Sequence, residues 1–363
     1  MALSTYVSLQ MQDTTSPDAK LVLASPLRAV SIINQMELIA RLIKEKGHIC
    51  KMVHEITIPQ LWMEKPHALL WFRVCCVEFL NDVVPVYLYT NIPKAVYVTV
   101  EGVPAKEGIM HTNLTKLEYI ANSRFTAECL RMAGLKVIDV VHHAVDWMLC
   151  YRLFKMKQRL KQRLKQQYGD RCILLVNCRN DPRKGLKLLA NALKIVEEKW
   201  SGKFLVLLHI NTPPAELLEL KCVKIHSGFG SMPHYKVLEL MCAVDYLIFP
   251  SVCEGFGIPV LEANAVGTPV IHCWMPPLDE FSSKEFNFVF PFAERRTAKP
   301  TMSQYWVFHL YDPEWLADMI NYAIDVYYNS REEYEEYCRK ANEHAQNWDY
   351  HVVYQRLLRH LGI

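Results

Sequence analysis

The sequence lacks the features that mark nucleic-acid-binding and membrane-spanning proteins. Its 363 residues carry 41 Lys and Arg against 38 Asp and Glu, and a net charge of +3 is too small to indicate a nucleic-acid partner. Apolar runs stay short of the ~20 residues that a membrane-spanning helix needs, because Arg73, Glu78 and Lys94 interrupt the best candidates. The first residues show no basic segment followed by an apolar one, so we expect no signal peptide.

Cysteine is present, but not in the pattern of a metal site. The chain has 12 cysteines and no Cys-x-x-Cys pair. Several of them, including Cys172 and Cys242, stand inside apolar runs, which favours buried thiols in a reducing compartment and predicts a cytoplasmic protein. His142 and His143 are adjacent but have no third ligand at a usable spacing, so we expect no metal and no cofactor.

Length and composition indicate two globular domains. The chain is longer than most single domains, and its 51% hydrophobic content allows large cores. Strand–helix series begin at 21–24 and at 172–176, a pattern typical of Rossmann-like α/β domains. We place the first domain at 1–165, the second at 166–347 and a C-terminal helix at 348–363.

The chain is organised around the stretch 249–271, which has the pattern strand, glycine loop, short helix, strand. Gly255 and Gly257 let the backbone approach a ligand closely. Pro259 suits the first helical position, where its missing N–H costs nothing. Gly267 suits the position that ends the helix.

The residue types in this stretch point to a ligand with phosphate or hydroxyl groups. The N–H groups around Gly257 and Ile258 stand at a helix N-terminus, a good place for a phosphate or a sugar oxygen. Glu254 and Glu262 flank the same helix start. Because carboxylates accept hydrogen bonds, we expect these two to contact hydroxyl groups such as the vicinal diol of a ribose.

The segment Glu254-Gly-Phe-Gly-Ile-Pro-Val-Leu-Glu262, followed by Ala-Asn-Ala-Val-Gly-Thr-Pro-Val-Ile, resembles the signature of the retaining glycosyltransferases of family 4. In that family the first Glu touches the donor sugar and the second holds the nucleotide ribose. The resemblance thus implies donor-sugar and ribose roles for Glu254 and Glu262, and donor binding by the loop residues Gly255, Phe256, Gly257 and Ile258. The alternative is an ordinary strand–loop–helix with two surface glutamates.

The same resemblance implies a fold and an activity. The family has an α/β fold of GT-B architecture, in which two Rossmann-like domains face each other across a cleft and the C-terminal helix crosses back to the first domain. The implied reaction moves a hexose from a UDP- or GDP-sugar to an acceptor hydroxyl on a glycan, lipid or protein, with retention and without a metal. Two alternatives stay open: a catalytically inactive nucleotide-sugar-binding scaffold and a GT-B sugar-nucleotide epimerase.

A second motif supplies positive charge. Arg179 and Lys184 have the spacing of the family's Gly-Arg-(four residues)-Lys-Gly, whose two cations hold the donor diphosphate. Fixed cations stabilise the negative charge that develops as a nucleoside diphosphate leaves. Arg183 is the nearest competing cation and could be the solvated one. Phe229 and Gly230 fall in the region that lies against the base in the family.

Two positions depart from the family pattern. Family members often carry a histidine just after the strand at 97–100, whereas this chain has Glu101. Glu101 could bind a sugar hydroxyl or assist at the reaction centre, or it could be a loop carboxylate at the rim of the cleft. The first turn, at 25–28, has no glycine, although in the family it usually lies under the diphosphate. Arg28 could replace that glycine-rich turn, or be a solvated or acceptor-side cation.

Residues 151–168 carry seven Lys and Arg and no acid. Leucines and a methionine recur there at helical spacing, which predicts a basic amphipathic helix. One interpretation is a peripheral contact with an anionic membrane or with RNA. The other is an interdomain helix with a solvated basic face. The aromatic segment 284–309 matches no pattern.

Overall fold

The computed structural model describes residues 19–25, 30–74, 82–298 and 304–363. Arg28, which the sequence suggested as the cation of the first turn, lies outside the described residues, as does Glu78.

The first domain is built on a parallel sheet. Its strands are β1 (Lys20–Ala24), β2 (Ile49–Val53), β3 (Ala68–Val74), β4 (Lys94–Thr99), β5 (Gly102–Pro104), β6 (Glu118–Ala121) and β7 (Lys136–Val140). Its helices are α1 (Val30–Glu45), α2 (Ile58–Glu64), α3 (Val83–Tyr89) and α4 (Arg124–Met132). Six strands form the sheet in the order β2-β1-β3-β4-β6-β7, and β5 stands apart.

The side chains of β1 alternate between two apolar clusters, which shows that this sheet is buried on both faces. Val22 belongs to one apolar cluster and Leu21 and Leu23 to another, because successive side chains point to opposite faces of a strand. Parallel strands covered on both faces read as continuous apolar runs, which is the pattern of this segment.

The second domain repeats the plan. Its helices and strands up to the end of the sheet are α5 (Trp147–Lys155), α6 (Lys157–Tyr168), β8 (Cys172–Cys178), α7 (Leu186–Trp200), β9 (Phe204–Ile210), α8 (Ala215–Leu218), β10 (Val223–Ile225), α9 (His234–Ala243), β11 (Tyr246–Phe249), α10 (Ile258–Ala265), β12 (Val270–Cys273) and β13 (Phe288–Phe290). The strand order is β10-β9-β8-β11-β12-β13, again parallel. Two Rossmann-like halves are therefore present, as the sequence predicts.

A small third sheet joins the two domains. It consists of β14 (Glu294–Ala298), β15 (Gln304–Leu310) and β5 in the order β14-β15-β5, all antiparallel. β5 follows Glu101 in the first domain, and β15 belongs to the aromatic segment that matched no pattern. The N–H of Val307 donates to the carbonyl of Glu101 at 3.1 Å, and the N–H of His309 donates to the carbonyl of Val252 at 2.7 Å. β15 thus contacts the loops that carry Glu101 and Glu254.

The C-terminal helices are α11 (Pro313–Asn329), α12 (Arg331–Ala345), α13 (Tyr350–Val353) and α14 (Gln355–His360). The last two return to the first domain, where Tyr354 and Leu357 share an apolar cluster with Ile39 and Ile43 of α1. The predicted crossing of the C-terminal segment is confirmed, although it is two short helices rather than one.

The basic segment 151–168 is two helices that meet at Met156, and the predicted domain boundary at 165/166 lies inside α6. Three of its lysines point inward. Lys157 Nζ donates to the carbonyl of Cys242 at 2.9 Å and to Thr268 Oγ1 at 2.7 Å. Lys161 pairs with Asp245, and Lys165 Nζ donates to Tyr327 OH at 2.7 Å. Of the seven cations predicted to form a solvated face, four are exposed: Arg152, Lys155, Arg159 and Arg163.

No helix in the described part of the chain is long and apolar enough to cross a membrane.

Candidate active site

The loops that follow β8 and β11 meet at the carboxyl edge of the second sheet. The two strands are neighbours, so the segments that leave them lie side by side, where ligands bind in open α/β sheets. The N–H of Val252 donates to the carbonyl of Arg183 at 2.9 Å, and the Ser251 hydroxyl donates to the same carbonyl at 3.0 Å. These bonds bring the two motifs of the sequence together.

Glu254 is a buried carboxylate held by a lysine. The residue is 7% exposed and accepts hydrogen bonds from Lys184 Nζ and Ser251 Oγ. Burial by itself would raise the pKa of this carboxyl, but the charges of Lys184 and Arg183 and the two hydrogen bonds lower the pKa below its ordinary value. Glu254 therefore stays ionised at neutral pH and can accept hydrogen bonds from hydroxyl groups.

Arg183 is the arginine of the motif that reaches this cluster. Its guanidinium lies 3.7 Å from the carboxylate of Glu254 and 3.7 Å from that of Glu101, and its side chain is 20% exposed rather than solvated. Glu101 comes from the first domain, where its carboxylate also accepts a hydrogen bond from Gln304 Nε2 at 3.4 Å. Arg179 is exposed and forms no hydrogen bond or ion pair with a described residue, so its role in binding diphosphate stays a prediction.

The start of α10 presents free N–H groups to the same loop. Gly257 is the N-cap with φ +94°, and a Cβ there would lie 2.3 Å from Leu278 Cδ2, so only glycine fits. Pro259 occupies the second rather than the first helical position. Among the described residues, the N–H groups of Gly257 and Ile258 have no acceptor. This helix end is suited to bind an anion.

Gly255 lies where the glycine loop touches the first domain. Its carbonyl accepts a hydrogen bond from Ser123 Oγ at 3.3 Å. A Cβ at Gly255 would lie 2.4 Å from Thr99 Oγ1 and 2.9 Å from the carbonyl oxygen of Val100. The two domains therefore meet here with no room for a side chain.

Glu262 opens into a cavity between the domains. Its Oε1 lies 2.7 Å from Nε2 of His234, at the first position of α9. Burial would lower the pKa of His234, but the charge of Glu262 and its hydrogen bond raise it above the ordinary value. Both residues line a cavity of about 60 Å³. Its other polar lining residues are Asn34, Gln35, Glu37, Arg41 and Asp146.

Comparison with known proteins gives these features a context. Residues 171–291 match the family model described as glycosyl transferases group 1. An uncharacterized glycosyltransferase of Sulfolobus islandicus rod-shaped virus 1 is 29% identical over 334 residues, which cover 90% of this chain and 96% of that relative. The chain is a glycosyltransferase.

Solved structures confirm the GT-B fold of this glycosyltransferase. A glycosyltransferase from Rickettsia africae is 13% identical with a TM-score of 0.69, and the match covers 94% of this chain and 97% of that one. HepE from Anabaena, solved in complex with UDP-glucose, is 15% identical with a TM-score of 0.65, and the match covers 94% and 99%. At these identities the likeness concerns the fold alone.

Phe256 of the glycosyltransferase points away from the charge cluster. Its ring stacks on Phe281 with centroids 4.6 Å apart and lies 4.9 Å from the ring of His143. Its side chain therefore fills the interface between the domains, and its role in donor binding stays a prediction. Ile258, the fourth predicted loop residue, is buried in the apolar core of the second domain.

Phe229 and Gly230 follow β10 at the same edge of the sheet. The Phe229 ring is half-buried with its centroid 5.4 Å from that of His209, whose ring lies 5.4 Å from that of His226. Burial lowers the pKa of His209, so its imidazole is neutral at physiological pH. Gly230 is exposed with φ +79°. The rings are tilted to one another by 59° and 70°, so they form no continuous flat surface, and a base would stack on a single ring.

The two adjacent histidines have structural partners. His142 Nε2 lies 2.8 Å from Glu280, whose carboxylate also accepts from the N–H groups of Arg124 at 2.8 Å and Phe125 at 3.0 Å. His143 contacts Tyr97 OH at 2.9 Å. Glu280 thus ties the second domain to the start of α4 in the first. Among the described residues no group of three or more His, Cys, Asp or Glu is placed to hold a metal ion.

Sequence reasoning did not assign roles to Ser251, His234 and Glu280. Ser251 could have been noticed, because it stands three residues before Glu254 and next to the end of β11. Glu280 belongs to a Pro-rich turn that resembles one in the family, but its partners lie more than 130 residues away in the chain. His234 begins an ordinary helix and carries no local signal.

Proposed function

We propose that this glycosyltransferase transfers a hexose from a UDP- or GDP-sugar to an acceptor hydroxyl, with retention and without a metal ion. The observation that carries the proposal is the buried Glu254–Lys184 pair beside the N–H groups at the start of α10. One small region then offers a hydroxyl acceptor, a cation and an anion-binding helix end.

The donor is proposed to lie along the loop from Glu254 to Glu262. Its diphosphate would bind the N–H groups of Gly257 and Ile258 together with Lys184, and exposed Arg179 would reach it from the neighbouring loop. The sugar would meet Glu254 and the ribose would meet Glu262. A complex of HepE with UDP-glucose supports a UDP-sugar as the first donor to test.

The proposed chemistry needs no protein nucleophile. The bond between the anomeric carbon and the diphosphate oxygen breaks, and the acceptor oxygen bonds to that carbon from the same face. The acceptor proton passes to the departing diphosphate. Lys184 and the helix end stabilise the charge on the leaving group, which is the task that a metal performs in other enzymes. Glu254, held as a carboxylate, suits binding of sugar hydroxyls rather than proton donation.

Glu101 is proposed to assist at the reaction centre rather than to stand at the rim. Its side chain is 17% exposed, and Arg183 places its carboxylate in the same charge cluster as Glu254. A carboxylate at this position would accept a hydrogen bond from a hydroxyl of the transferred sugar.

The exposed cations of α5 and α6 support a peripheral contact with an anionic membrane, which would favour a lipid acceptor on the cytoplasmic side. Replacing Arg159 and Arg163 by Gln should reduce flotation with vesicles that contain anionic lipid. Replacing the inward Lys161 by Met should not change flotation of the folded protein. Equal flotation of the Arg variant and the wild type would remove this contact from the proposal.

Product analysis of donor turnover tests the proposal. Purified protein in EDTA is incubated with each UDP- and GDP-sugar and an alcohol or glycan acceptor, and NMR reports the anomeric configuration of the product. We expect a glycoside with the anomeric configuration of the donor. An inverted product would contradict retention, and loss of turnover in EDTA would contradict metal independence. A donor that binds without being consumed would indicate a catalytically inactive scaffold. A donor converted to a different sugar nucleotide, with no transfer to the acceptor, would indicate an epimerase.

A further inference from the structure

One guanidinium lies between carboxylates from both domains. Arg183 Nη2 lies 3.7 Å from Glu101 of the first domain, and Nη1 lies 3.7 Å from Glu254 of the second. Its Nε lies 3.5 Å from Asp181 in its own loop. No other arginine in the described part of the chain has ion pairs to carboxylates of both domains at this site.

Arg183 acts on these carboxylates by charge rather than by hydrogen bonds. All three separations are too long for a charge-assisted hydrogen bond, which has a length of about 2.7–2.9 Å. Its side chain forms no hydrogen bond with the described residues, and at 20% exposure it is screened only in part by water. Opposite charges within 4–6 Å stabilise each other's ionised forms even without a hydrogen bond.

The charge count shows why this cation is needed. Glu101, Glu254 and Asp181 bring three negative charges to the site, and Lys184 and Arg183 bring two positive ones. The titratable neighbours Cys178 and Cys253 have thiols whose pKa values are raised by burial, so both stay neutral. Lys184 is bonded to Glu254, and the described partner of the Glu101 carboxylate besides Arg183 is the neutral amide of Gln304. Removing Arg183 would leave three carboxylates at the site with one cation, Lys184, which is bonded to Glu254.

Arg183 therefore matches Glu101, the residue that departs from the family pattern. A histidine after β4 can be neutral, whereas Glu101 brings a negative charge toward the place proposed for an anionic diphosphate. Arg183 offsets that charge.

We propose that Arg183 is a positioning residue that holds the carboxylates of Glu101 and Glu254 on the two sides of the site, as the counter-charge for the glutamate that stands where the family often has histidine. The expected effect of Arg183 on turnover rests on the proposed function. Its effect on the two carboxylates does not, because it is a property of the protein without a donor.

The first test is the pH profile of kcat/KM for the donor. In Arg183→Gln we expect the acid limb of the profile to move to higher pH by one unit or more, because an adjacent cation lowers a carboxyl pKa by about 1–3 units. Arg183→Lys keeps the charge and should leave the limb near its wild-type position. Arg131→Gln, an exposed arginine at the far end of α4, is the matched control and should not move it.

Double substitution tests the coupling. Glu101→Gln in the Arg183→Gln background removes one of the two competing carboxylates, and we expect the limb to return toward the wild-type position. A limb that stays in place in Arg183→Gln, or that fails to return in the double variant, would overturn the proposal.

A titration of the free protein separates this proposal from the proposed function. Carbon-13 NMR of labelled glutamate carboxyls, with Glu101→Gln and Glu254→Gln to assign the signals, follows both groups without any donor. We expect Glu254 to titrate at higher pH in Arg183→Gln than in the wild type, because the charge of Arg183 lowers the pKa of this carboxyl. If donor turnover is absent but the titration moves, the proposed function fails and the electrostatic role of Arg183 stands. If the titration of Glu254 is unchanged by the substitution, the role of Arg183 is refuted whatever the enzyme does.

Discussion

His234 Nε2 and Glu262 Oε1 lie 2.7 Å apart at the wall of the cavity between the domains. This contact joins the start of α9 to the first turns of α10. It also turns the carboxylate proposed to hold the ribose toward the cavity, so it links the stability of the second domain to the geometry of donor binding.

Replacing His234 by Gln should make stability less dependent on pH. Because Glu262 raises the pKa of His234 in the folded protein, the stabilisation is present below the unfolded pKa and is lost as the pH rises through the folded pKa. The difference in melting temperature between wild type and His234→Gln should therefore be larger at pH 6 than at pH 9. His111→Gln, at an exposed histidine, is the control. A difference that does not vary with pH would argue against the ion pair.

Lys184→Met should reduce kcat by about 10²–10³-fold, the usual loss when one preorganised group that stabilises developing charge is removed. The same change leaves Glu254 without its lysine partner, so the fold should be less stable at neutral pH. Circular dichroism of the variant separates the two effects, and adding Glu254→Gln should recover stability without activity. Lys187→Met, at an exposed lysine of α7, serves as the control. Wild-type kcat in a folded Lys184→Met protein would remove this lysine from the mechanism.

Gly255→Ala tests the contact between the domains. The added Cβ would lie 2.4 Å from Thr99 Oγ1 and 2.9 Å from the Val100 carbonyl, and overpacking of this kind costs about 1–3 kcal/mol. We expect a lower melting temperature and lower turnover, because the loop that carries Glu254 must shift. Thr99→Ala in the same protein should restore part of both. If the alanine variant melts and turns over like the wild type, the domains do not meet here as described.

Glu280→Gln should weaken the tie between the domains. Burial would raise the pKa of Glu280, but His142 and the N–H groups of Arg124 and Phe125 lower it below the ordinary value. The stabilisation is therefore present above the unfolded pKa and is lost as the pH falls through the folded pKa. At pH 7 we expect the variant to be less stable by about 1.5–3 kcal/mol, the contribution of a hydrogen bond to a charged group. The difference in denaturant midpoints should shrink below about pH 4.5, near the ordinary glutamate pKa, and a constant difference would contradict this account.

Local signals made the region around Glu254 predictable. A buried strand, glycines at 255, 257 and 267 and a proline inside the first turn of a helix are requirements of the backbone, and each can be recognised within a few residues. The parallel sheets followed from apolar runs alternating with amphipathic helices. Two Rossmann-like domains could therefore be predicted from these patterns, and the resemblance to family 4 implied the GT-B architecture; the structure confirms both.

Features that depend on distant partners could not be predicted in this way. β5 is three residues long, and its pairing with β15 joins segments about 200 residues apart. The inward lysines of α6 looked like a solvated face, because Asp245 and Tyr334 are far away in the sequence. Arg179 and Arg183 are four residues apart in the sequence. Only the packing of three loops decides which of them approaches Glu101 and Glu254.

The most direct measurement is the thermal shift of the free protein with a panel of UDP-, GDP- and ADP-sugars in the absence of metal. A ligand that binds only the folded state raises the melting temperature. The account predicts a shift with a UDP- or GDP-sugar that is lost in Glu262→Ala and retained in His111→Gln. If no donor in the panel raises the melting temperature, or if Glu262→Ala responds like the wild type, the donor site described here is wrong.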